Sequence, residues 1–320
     1  MRDSGKFGAN TTADEALEDV DMRGKLVLIT GGSSGLGQES ARALAAKGAH
    51  VVLTARDAAK GRGVVEGIVA STGNRNVELE ELELASLASV RAFAQRFLAR
   101  HDRIDVLLNN AGVMACPLGH TSDGFELQFG TNHLGHFLLT CLLAPALKRG
   151  APSRVVSLSS RGHHIAPVDF DDPNFAKREY QKWASYGQSK TANVLFAVGL
   201  ERRLGPVGVH AYALHPGAIM TELGRHLVPE DIEFLRTRTP PGTTFAFKTV
   251  EAGAATSVFA ATAPELEGRG GIYLEDCHVA GVNDEPNALD GVKTYAIDPK
   301  NAERLWELSE RLIGQRCALA

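Results

Sequence analysis

Short apolar runs alternate with longer stretches of helical periodicity along most of this 320-residue sequence. The predicted strands are residues 25–30, 50–54, 76–84, 104–109, 154–158, 209–215 and 271–274, and the predicted helices include 38–47, 86–101, 125–148 and 184–204. Strands that are apolar throughout are buried on both faces, and parallel strands need helical crossovers to connect them. The sequence therefore predicts an α/β domain with a doubly wound parallel sheet of about seven strands and helices on both faces.

The chain divides into an N-terminal arm and one domain. Residues 1–23 are polar and acidic and are expected to form a loosely ordered arm, whereas residues 24–320 form the domain. Little periodicity is found over about residues 218–248, which predicts a substrate-loop insertion, and a helix is expected at the C-terminus. The N-terminus lacks the apolar core of a signal peptide, and the longest apolar run, residues 136–147, is too short to span a bilayer. We therefore expect a cytoplasmic protein.

Charge and cysteine content limit the classes of partner. A net charge of −4 gives no electrostatic reason to expect nucleic acid or an anionic membrane as a partner. The four cysteines, Cys116, Cys141, Cys277 and Cys317, are scattered and are predicted to be reduced, packed thiols. The pairs His133/His136 and His163/His164 have no carboxylate or cysteine at ligand spacing, so we expect structural histidines and no metal there.

The first predicted strand ends in TGGSSGLG, residues 30–37. Gly31 permits a tight turn, Gly35 lets the backbone approach a phosphate, and Gly37 permits close packing of the next helix. The N-terminus of that helix would present free N–H groups and the positive end of its dipole. Glycine-rich turns also occur without ligands, but this one lies between a strand and a helix. The context indicates a Rossmann-type dinucleotide site.

The end of the second predicted strand reads VVLTARD, with Ala55 followed by Arg56. Folds that bind NAD usually place a carboxylate there to bind the ribose hydroxyls. Ala55 offers none, and the guanidinium of Arg56 suits a 2′-phosphate through charge and paired hydrogen bonds. A solvated surface arginine is the alternative interpretation. The pattern favours NADP(H), with NAD(H) able to bind more weakly.

Three further motifs follow in order: LLNNAG at 107–112, SLSS at 157–160 and YGQSK at 186–190. Ligands of an open parallel sheet bind outside the carboxyl ends of its strands, so the first two turns would line the same crevice as the glycine loop. In the third motif Tyr186 and Lys190 are four residues apart and share one helix face. A nearby cation lowers the pKa of a phenol, which is ordinarily near 10. We expect Tyr186 to act as an acid/base of this kind.

Together these motifs resemble the short-chain dehydrogenase/reductase family over about residues 24–280. The matching elements are TGxxxGxG, NNAG, a serine at a strand end, YxxxK and the HPG turn at 215–217 followed by Thr221. The segments YGQSKTANVLFA, NHLGHFLLT, SSRGHH and PELEGRGGIYLEDC resemble the retinol-dehydrogenase-like branch, which includes WW-domain oxidoreductases. One residue departs from the family: Glu83 replaces the usual aspartate beside the adenine, which leaves that contact to the backbone.

The resemblance implies a role for each matching residue. Tyr186 matches the proton donor and acceptor, and Lys190 matches the residue that lowers its pKa and holds the nicotinamide ribose. Ser160 matches the residue that orients the substrate oxygen, and Asn132 matches the asparagine whose helix distortion supports a water in the proton relay. The implied cofactor contacts are Gly31, Ser33, Ser34, Gly35, Leu36, Gly37, Arg56, Glu83, Leu84, Asn110, Ala111, Gly112, Tyr186, Lys190, Pro216, Gly217, Ile219 and Thr221. Helices 125–148 and 184–204 resemble those through which family members pair, which implies a homodimer or homotetramer.

The substrate pocket is the least determined part. Its walls are expected from residues 114–118, 161–165 and Trp183, and from Met220, Leu223, Leu227, Ile232, Phe234, Leu235, Phe245 and Phe247. The same side chains would otherwise form a small core beneath a long loop. Their apolar character, without a cluster of arginines, favours a hydrophobic alcohol, aldehyde or ketone over a sugar phosphate.

The sequence thus predicts an NADP(H)-dependent oxidoreductase that interconverts a hydrophobic alcohol and its carbonyl compound. Two alternatives remain: a dinucleotide-binding sensor or scaffold without catalysis, and an NAD-linked alcohol dehydrogenase of catabolism. The set Asn132, Ser160, Tyr186 and Lys190 argues against the first alternative, because a sensor needs the glycine loop but not these four residues.

Overall fold

A mostly parallel sheet forms the centre of the protein. The computed structural model describes residues 6–240, 243 and 247–319, and within them the sheet has eight strands. These are β1 (Leu26–Ile29), β2 (His50–Ala55), β3 (Val77–Glu81), β4 (Val106–Asn109), β5 (Ser153–Leu158), β6 (Val209–His215), β7 (Ile272–Glu275) and β8 (His278–Val279). The order is β3-β2-β1-β4-β5-β6-β7-β8, parallel throughout except for β7 and β8. Because the winding reverses between β1 and β4, a crevice opens at the carboxyl ends of these strands.

Helices cover both faces of the sheet. They are α1 (Ala13–Ala16), α2 (Gly35–Ala46), α3 (Ala58–Thr72), α4 (Leu87–Arg100), α5 (Leu127–Phe129), α6 (Gly135–Arg149), α7 (Lys182–Leu204), α8 (Pro229–Thr237), α9 (Val250–Thr262), α10 (Thr294–Ile297) and α11 (Pro299–Ile313). One apolar core lies between the sheet and α4, α6, α7 and α11, and the other lies beneath α1, α2, α3 and α9. The doubly wound α/β architecture is confirmed. Within the described residues, no helix combines the length and apolar character needed to cross a bilayer.

The eighth strand is short and antiparallel, and the sequence did not predict it. Asp276 and Cys277 connect β7 to β8 with φ values of +47° and +61°. A two-residue hairpin turn needs positive φ at both central positions, and Asn-Gly or Asp-Gly is its usual sequence. Because no glycine occupies this turn, the pattern gives no hairpin signal.

The N-terminal arm is more ordered than expected from residue 6 onward. Thr12 and Glu15 form a reciprocal cap on α1, and Leu17 is fully buried. The ring of Phe7 packs edge-on against Phe259 of α9, with 6.0 Å between ring centroids. The prediction of a loosely ordered arm is therefore wrong for this part, because a few apolar side chains among the polar ones anchor it to the second core.

Two of the four cysteines are paired, which corrects the prediction of reduced thiols. Cys141 in α6 is joined to Cys317 by a disulfide, with 5.5 Å between the Cα atoms. The C-terminal tail after α11 folds back to α6, so residues 176 positions apart in sequence become neighbours. Sequence spacing carries no sign of such a contact. Cys116 and Cys277 are free and buried, as expected.

Candidate active site

The carboxyl ends of the central strands border one cleft with a volume of about 2190 Å³. Small-molecule sites are typically ~300–1,000 Å³, so this cleft has room for a dinucleotide and a substrate together. The predicted residues that line it are Gly31, Ser33, Ser34, Gly35, Leu36, Gly37, Arg56, Glu83, Leu84, Asn110, Ala111, Gly112, Ser160, Tyr186, Lys190, Pro216, Gly217, Ile219 and Thr221. Of the predicted site residues, Asn132 alone lies behind the wall.

The glycine loop adopts the conformation that its sequence requires. Gly31 and Gly35 have φ values of +66° and +54°, a region that residues with side chains rarely occupy. A Cβ atom on Gly37 would lie 2.4 Å from the carbonyl oxygen of Gly31, so only glycine fits at this closest approach of helix and strand. Ser34, the N-cap of α2, makes no side-chain capping bond. The first N–H groups of α2 therefore face the cleft without an internal acceptor, as a phosphate site needs.

Thr30 fixes the glycine loop to the NNAG turn. Its Oγ1 accepts hydrogen bonds from the backbone N–H groups of Asn110 and Ala111, each at 3.0 Å. The side-chain amide of Asn110 donates to the Thr30 carbonyl at 2.7 Å. His136 Nε2 lies 2.8 Å from the same Thr30 hydroxyl. Sequence analysis overlooked Thr30, although its place as the last residue before the glycine loop was a usable signal.

Asn132 lies in a π-helical turn, Gly130–Leu134, that joins α5 to α6. Its carboxamide accepts from the Val113 N–H at 2.8 Å, and donates to the Val113 carbonyl and to Ser189 Oγ, each at 2.9 Å. The helix distortion expected here is present, and it ties the NNAG loop to α7. The side chain is fully buried and its hydrogen bonds are all internal. A role in a proton relay stays a prediction.

Ser160 and Tyr186 meet at the centre of the cleft. Ser160 follows β5 and caps a short 3₁₀ turn, where its Oγ accepts from the Gly162 N–H at 3.0 Å. Burial raises the pKa of Tyr186 to about 12, while a hydrogen bond with Ser160 acts to lower it. A Cβ atom on Gly162 would lie 2.7 Å from the Tyr186 ring, so glycine there lets the phenol reach the serine.

Lys190 lies one turn further along α7. The sequence predicts that its ammonium lowers the pKa of Tyr186, and the structure differs from this expectation. Its ammonium donates to the Leu158 carbonyl at 2.9 Å and lies 5.6 Å from the centre of the Tyr186 ring. Burial lowers the pKa of Lys190 to about 8. Because burial dominates at both groups, the pKa of Tyr186 is raised rather than lowered in this form of the protein.

His163 holds Ser160 in place. Its Nδ1 donates to the Ser160 carbonyl at 2.7 Å, and its Nε2 accepts from the Lys293 N–H at 3.3 Å. Burial lowers the pKa of His163 to about 3, so the ring is neutral and has one proton to donate. His163 is therefore a structural histidine that supports Ser160 from behind. Its partner on the far side, Lys293, is 130 residues away and could not be read from the sequence.

Arg56 lies at the opposite end of the cleft from Tyr186. It follows β2, its side chain is 63% exposed, and its guanidinium is 3.7 Å from a carboxylate oxygen of Glu83. The other oxygen of Glu83 accepts from the Ala85 N–H at 2.9 Å. Ala55 is buried and leaves this end of the cleft without an acid on β2. The guanidinium thus faces open space with a single distant partner among the described residues.

An ion pair that sequence analysis did not predict crosses the cleft near Arg56. Lys60, in the first turn of α3, lies 2.6 Å from both carboxylate oxygens of Glu222. Both residues line the cleft and both side chains are substantially exposed. The spacing of Lys60 four residues after Arg56 could have indicated a second cation here, but its partner is 162 residues away.

The predicted substrate end of the cleft has many apolar side chains, but Arg161, Arg225, Arg236 and Arg238 also line the cleft, and the sequence did not predict such a set of arginines. Of the expected wall residues, those that line it are Met114, Arg161, Gly162, His164, Ile165, Trp183, Met220, Leu223, Leu227, Ile232, Leu235 and Phe247. Phe234 instead stacks on Trp183, with 5.6 Å between ring centroids. Phe245 lies outside the described residues. Met220 and Phe247 are 74% and 57% exposed, so the rim of the cleft is apolar as well.

Asp231 anchors the helix that covers this end. It lies on α8 and is 2% exposed, and it accepts from Trp183 Nε1 at 2.8 Å and from Lys182 Nζ at 2.7 Å. It also accepts from the Val228 N–H at 2.9 Å. Burial acts to raise the pKa of Asp231, but the three hydrogen bonds together lower it. Asp231 is therefore ionised at neutral pH and joins α8 to the start of α7, three residues before Tyr186.

We expect Asp231→Ala to release α8 from the site. A buried hydrogen bond to a charged group contributes about 1.5–3 kcal/mol. Loss of the Trp183 contact alone should therefore raise the open population of α8 roughly 10- to 150-fold. Trypsin cleavage after Arg236 measures this opening directly. Glu230→Gln, at an exposed position of the same helix, is the matched control and should leave the rate unchanged. Equal cleavage rates in the parent and in Asp231→Ala would show that the anchor is unimportant.

The residues of the cleft fit a nicotinamide dinucleotide. The N–H groups of the glycine loop have no capping side chain from Ser34, and Gly112 keeps the floor of the cleft open beside Lys190. A Cβ atom there would lie 3.1 Å from Asn132 Oδ1 and 3.6 Å from Lys190 Nζ. Arg56 supplies positive charge at one end, and the phenol of Tyr186, hydrogen-bonded to Ser160, lies at the other.

Comparison with known proteins gives the same result. The short chain dehydrogenase family model matches residues 25–231. Retinol dehydrogenase 12 of Mus musculus is 44% identical over 92% of this chain and 88% of its own length. A solved structure of an uncharacterised Mycobacterium paratuberculosis protein is 35% identical, covers 96% of this chain and 99% of that one, and has a TM-score of 0.72. The Pseudomonas aeruginosa RhlG/NADP active-site complex is 26% identical, covers 79% of this chain and 95% of that one, and has a TM-score of 0.62.

The family match spans the residues of the cleft from the glycine loop to Lys190. The family model ends within α8, so it covers all four predicted catalytic residues. The chain belongs to the short-chain dehydrogenase family, in its retinol-dehydrogenase-like branch, and is an NAD(P)-dependent oxidoreductase acting on CH–OH groups.

Proposed function

We propose that this protein is an NADP(H)-dependent oxidoreductase that interconverts a hydrophobic alcohol and its ketone or aldehyde, with Tyr186 as the acid/base. The observation that carries the proposal is the single cleft itself. It has an exposed guanidinium at one end, a serine–tyrosine pair at the other, and apolar walls around that pair. The guanidinium accounts for the proposed cofactor, the serine–tyrosine pair for the proposed proton exchange, and the walls for the proposed substrate class.

The cofactor preference rests on the end of β2. Arg56 offers a charged, partly exposed hydrogen-bond donor, and Ala55 offers no acceptor for ribose hydroxyls. A 2′-phosphate would be attracted by the guanidinium of Arg56 and would not be repelled at Ala55, which carries no charge. The Pseudomonas aeruginosa RhlG structure has NADP in its active site, which supports the same choice in a relative of this fold.

The proposed chemistry divides between cofactor and protein. The bound nicotinamide supplies the hydride chemistry. Tyr186 exchanges the proton at its phenol oxygen, and Ser160 orients the substrate oxygen through a hydroxyl fixed by the Gly162 N–H. The ammonium of Lys190 adds positive charge on the same face of α7, which favours the phenolate form of Tyr186 when a proton is given up.

The proposed substrate class rests on the walls of the cleft. Trp183, Leu227 and Leu235 form an apolar surface on the Tyr186 side of the cleft, and Arg161 is the charged residue directly after Ser160 that also lines the cleft. Mouse retinol dehydrogenase 12 is named for retinol, an apolar alcohol. A hydrophobic alcohol or carbonyl compound therefore suits this chain better than a sugar phosphate.

A substrate panel tests the proposal. Aromatic, aliphatic and terpenoid ketones and alcohols are supplied with NADPH or NADH, or with their oxidised forms, and absorbance is followed at the nicotinamide band. We expect turnover of apolar compounds with higher kcat/KM for NADP(H). Cofactor binding without turnover of any compound would instead favour the sensor alternative, and a clear preference for NAD(H) would favour the catabolic one.

We further propose that the chain forms a homodimer or homotetramer, as the short-chain dehydrogenase fold usually does. The predicted interface helices are not free in the structure. Trp306 of α11 packs on Phe137 of α6 and Phe196 of α7, with ring centroids 4.9 and 6.0 Å apart. The faces of α6 and α7 that pack on Trp306 are therefore not available for a contact between chains. Sedimentation velocity at micromolar concentration should give two or four times 34.2 kDa, and a particle of 34.2 kDa would contradict the proposal.

A further inference from the structure

His50, Glu78 and His101 form a cluster far from the cleft. His50 is the first residue of β2, Glu78 is the second residue of β3, and His101 directly follows α4. Their donor atoms lie within 4.8 Å of one another, and in the described part of the chain this is the only such group of three. Because β2 begins at the amino edge of the parallel sheet and the cleft lies at the carboxyl edge, the cluster is independent of the active site.

One imidazole nitrogen of this cluster, His101 Nε2, has no hydrogen-bond partner among the residues that the structure describes. His50 Nε2 is 2.5 Å from Glu78 Oε1, whereas His101 Nε2 is 3.9 Å from Glu78 Oε2, beyond hydrogen-bond distance. His101 Nε2 is buried with no hydrogen-bond partner among the described residues, and the side chain is 8% exposed. Buried polar atoms are normally satisfied. An unsatisfied imidazole nitrogen beside a carboxylate and a second imidazole indicates that a ligand is shared between them.

The three side chains are held for such a ligand. The ring of His101 packs against Phe97 and against His50, with centroids 4.6 and 5.4 Å away. Arg100 hydrogen-bonds one oxygen of Glu78 and leaves the other toward His50. An outer partner that orients a carboxylate in this way is typical of metal sites.

We propose that His50, Glu78 and His101 bind a divalent transition-metal ion of the Zn²⁺ class. Two imidazoles and one carboxylate are a donor set that Zn²⁺ accepts, with water in the fourth position. Zn²⁺ lies about 2.0–2.2 Å from such donors, which places the donor atoms of a tetrahedral site roughly 3.4 Å apart. His50 Nε2 and Glu78 Oε1, now 2.5 Å apart, must therefore separate slightly on binding, whereas His101 moves closer to Glu78. The ion joins β2, β3 and the end of α4 at the edge of the sheet. Because only the folded chain assembles the site, binding stabilises the fold.

Zinc titration of the chelator-treated full chain tests this proposal. Isothermal calorimetry should give one saturable site per chain, and Zn²⁺ should raise the melting temperature. His50→Gln and His101→Asn should each weaken binding at least 10-fold. The matched control is His210→Gln, because His210 also pairs with a glutamate, Glu201, at 2.9 Å but outside any three-residue cluster. That variant should bind Zn²⁺ like the parent.

Two results would overturn the proposal: a parent chain with no saturable site, or variants of His50 and His101 that bind as the parent does. If His101→Asn fails to fold, Co²⁺ gives a second measurement on the parent and on His50→Gln, whose side chain is one-third exposed. Visible absorption bands of nitrogen-ligated Co²⁺ in the parent, lost in His50→Gln, are expected. Identical spectra in the two proteins would refute the site.

Discussion

Tyr186→Phe should reduce kcat by a factor on the order of 10²–10⁴ while leaving NADPH affinity within a few-fold of the parent. Proton exchange by a positioned side chain contributes about that factor to catalysis. Phenylalanine keeps the ring that packs edge-on against Trp183, at 6.1 Å between centroids. Ser160 loses its hydrogen bond with the phenol but retains the one from the Gly162 N–H and still faces the cleft. The substitution therefore removes the exchangeable proton and one hydrogen bond at the substrate end, and leaves the glycine loop intact.

The control for this prediction removes a phenol elsewhere. Tyr212 on β6 is fully buried and donates to the Leu266 carbonyl at 2.9 Å, outside the cleft. Tyr212→Phe should lower the free energy of unfolding modestly and leave kcat unchanged. Turnover is measured under saturating cofactor, and NADPH affinity by nicotinamide fluorescence. If Tyr186→Phe retained turnover within a few-fold of the parent, Tyr186 would not be the acid.

The fold was largely predictable because its determinants are local. The predicted parallel strands are short and mainly apolar, except β3, in which glutamates alternate with apolar residues, and each was found within three residues of its predicted bounds. Helix α3 was not predicted, since Gly61, Gly63 and Gly67 weaken its helical pattern. The structure explains one of them: a Cβ atom on Gly61 would lie 2.5 Å from Leu79 of β3. Gly61 allows α3 to pack closely on β3, and the same glycine weakens the helical pattern in the sequence.

The site was predictable where a motif is contiguous, and not where contacts are distant in sequence. Tyr186 and Lys190 are separated by one helical turn, and the glycine loop is a single segment. The anchor of α8 joins Trp183 to Asp231 across 48 residues, and Lys60 meets Glu222 across 162. No local pattern records such pairs. The pKa of Tyr186 was predicted in the wrong direction for the same reason, because its burial depends on packing from several elements.

The cofactor preference should be reversed by Arg56→Ala combined with Ala55→Asp. A hydrogen-bonded charge pair between the guanidinium and a 2′-phosphate is worth about 1.5–3 kcal/mol, or roughly 10- to 150-fold in affinity. The parent should therefore favour NADPH over NADH by about that factor in kcat/KM. Glu83 lies 3.7 Å from the guanidinium at an exposed position, where a weak ion pair costs the phosphate little. In the double variant, this attraction is gone, and a carboxylate at position 55 accepts from ribose hydroxyls and repels the phosphate.

The effect of Arg56 must be distinguished from the effect of any other positive charge on this part of the protein surface. Arg62 is exposed on α3, close in sequence, but it does not line the cleft. Arg62→Ala removes the same guanidinium from the surface, and should leave the ratio of the two efficiencies unchanged. Arg56→Ala alone should weaken NADPH without improving NADH, because no acceptor for the ribose has been added. A parent enzyme with equal efficiencies, or one that already prefers NADH, would remove Arg56 from cofactor recognition. The choice would then depend on another group near the end of β2, and Lys60 would be the next cation to replace.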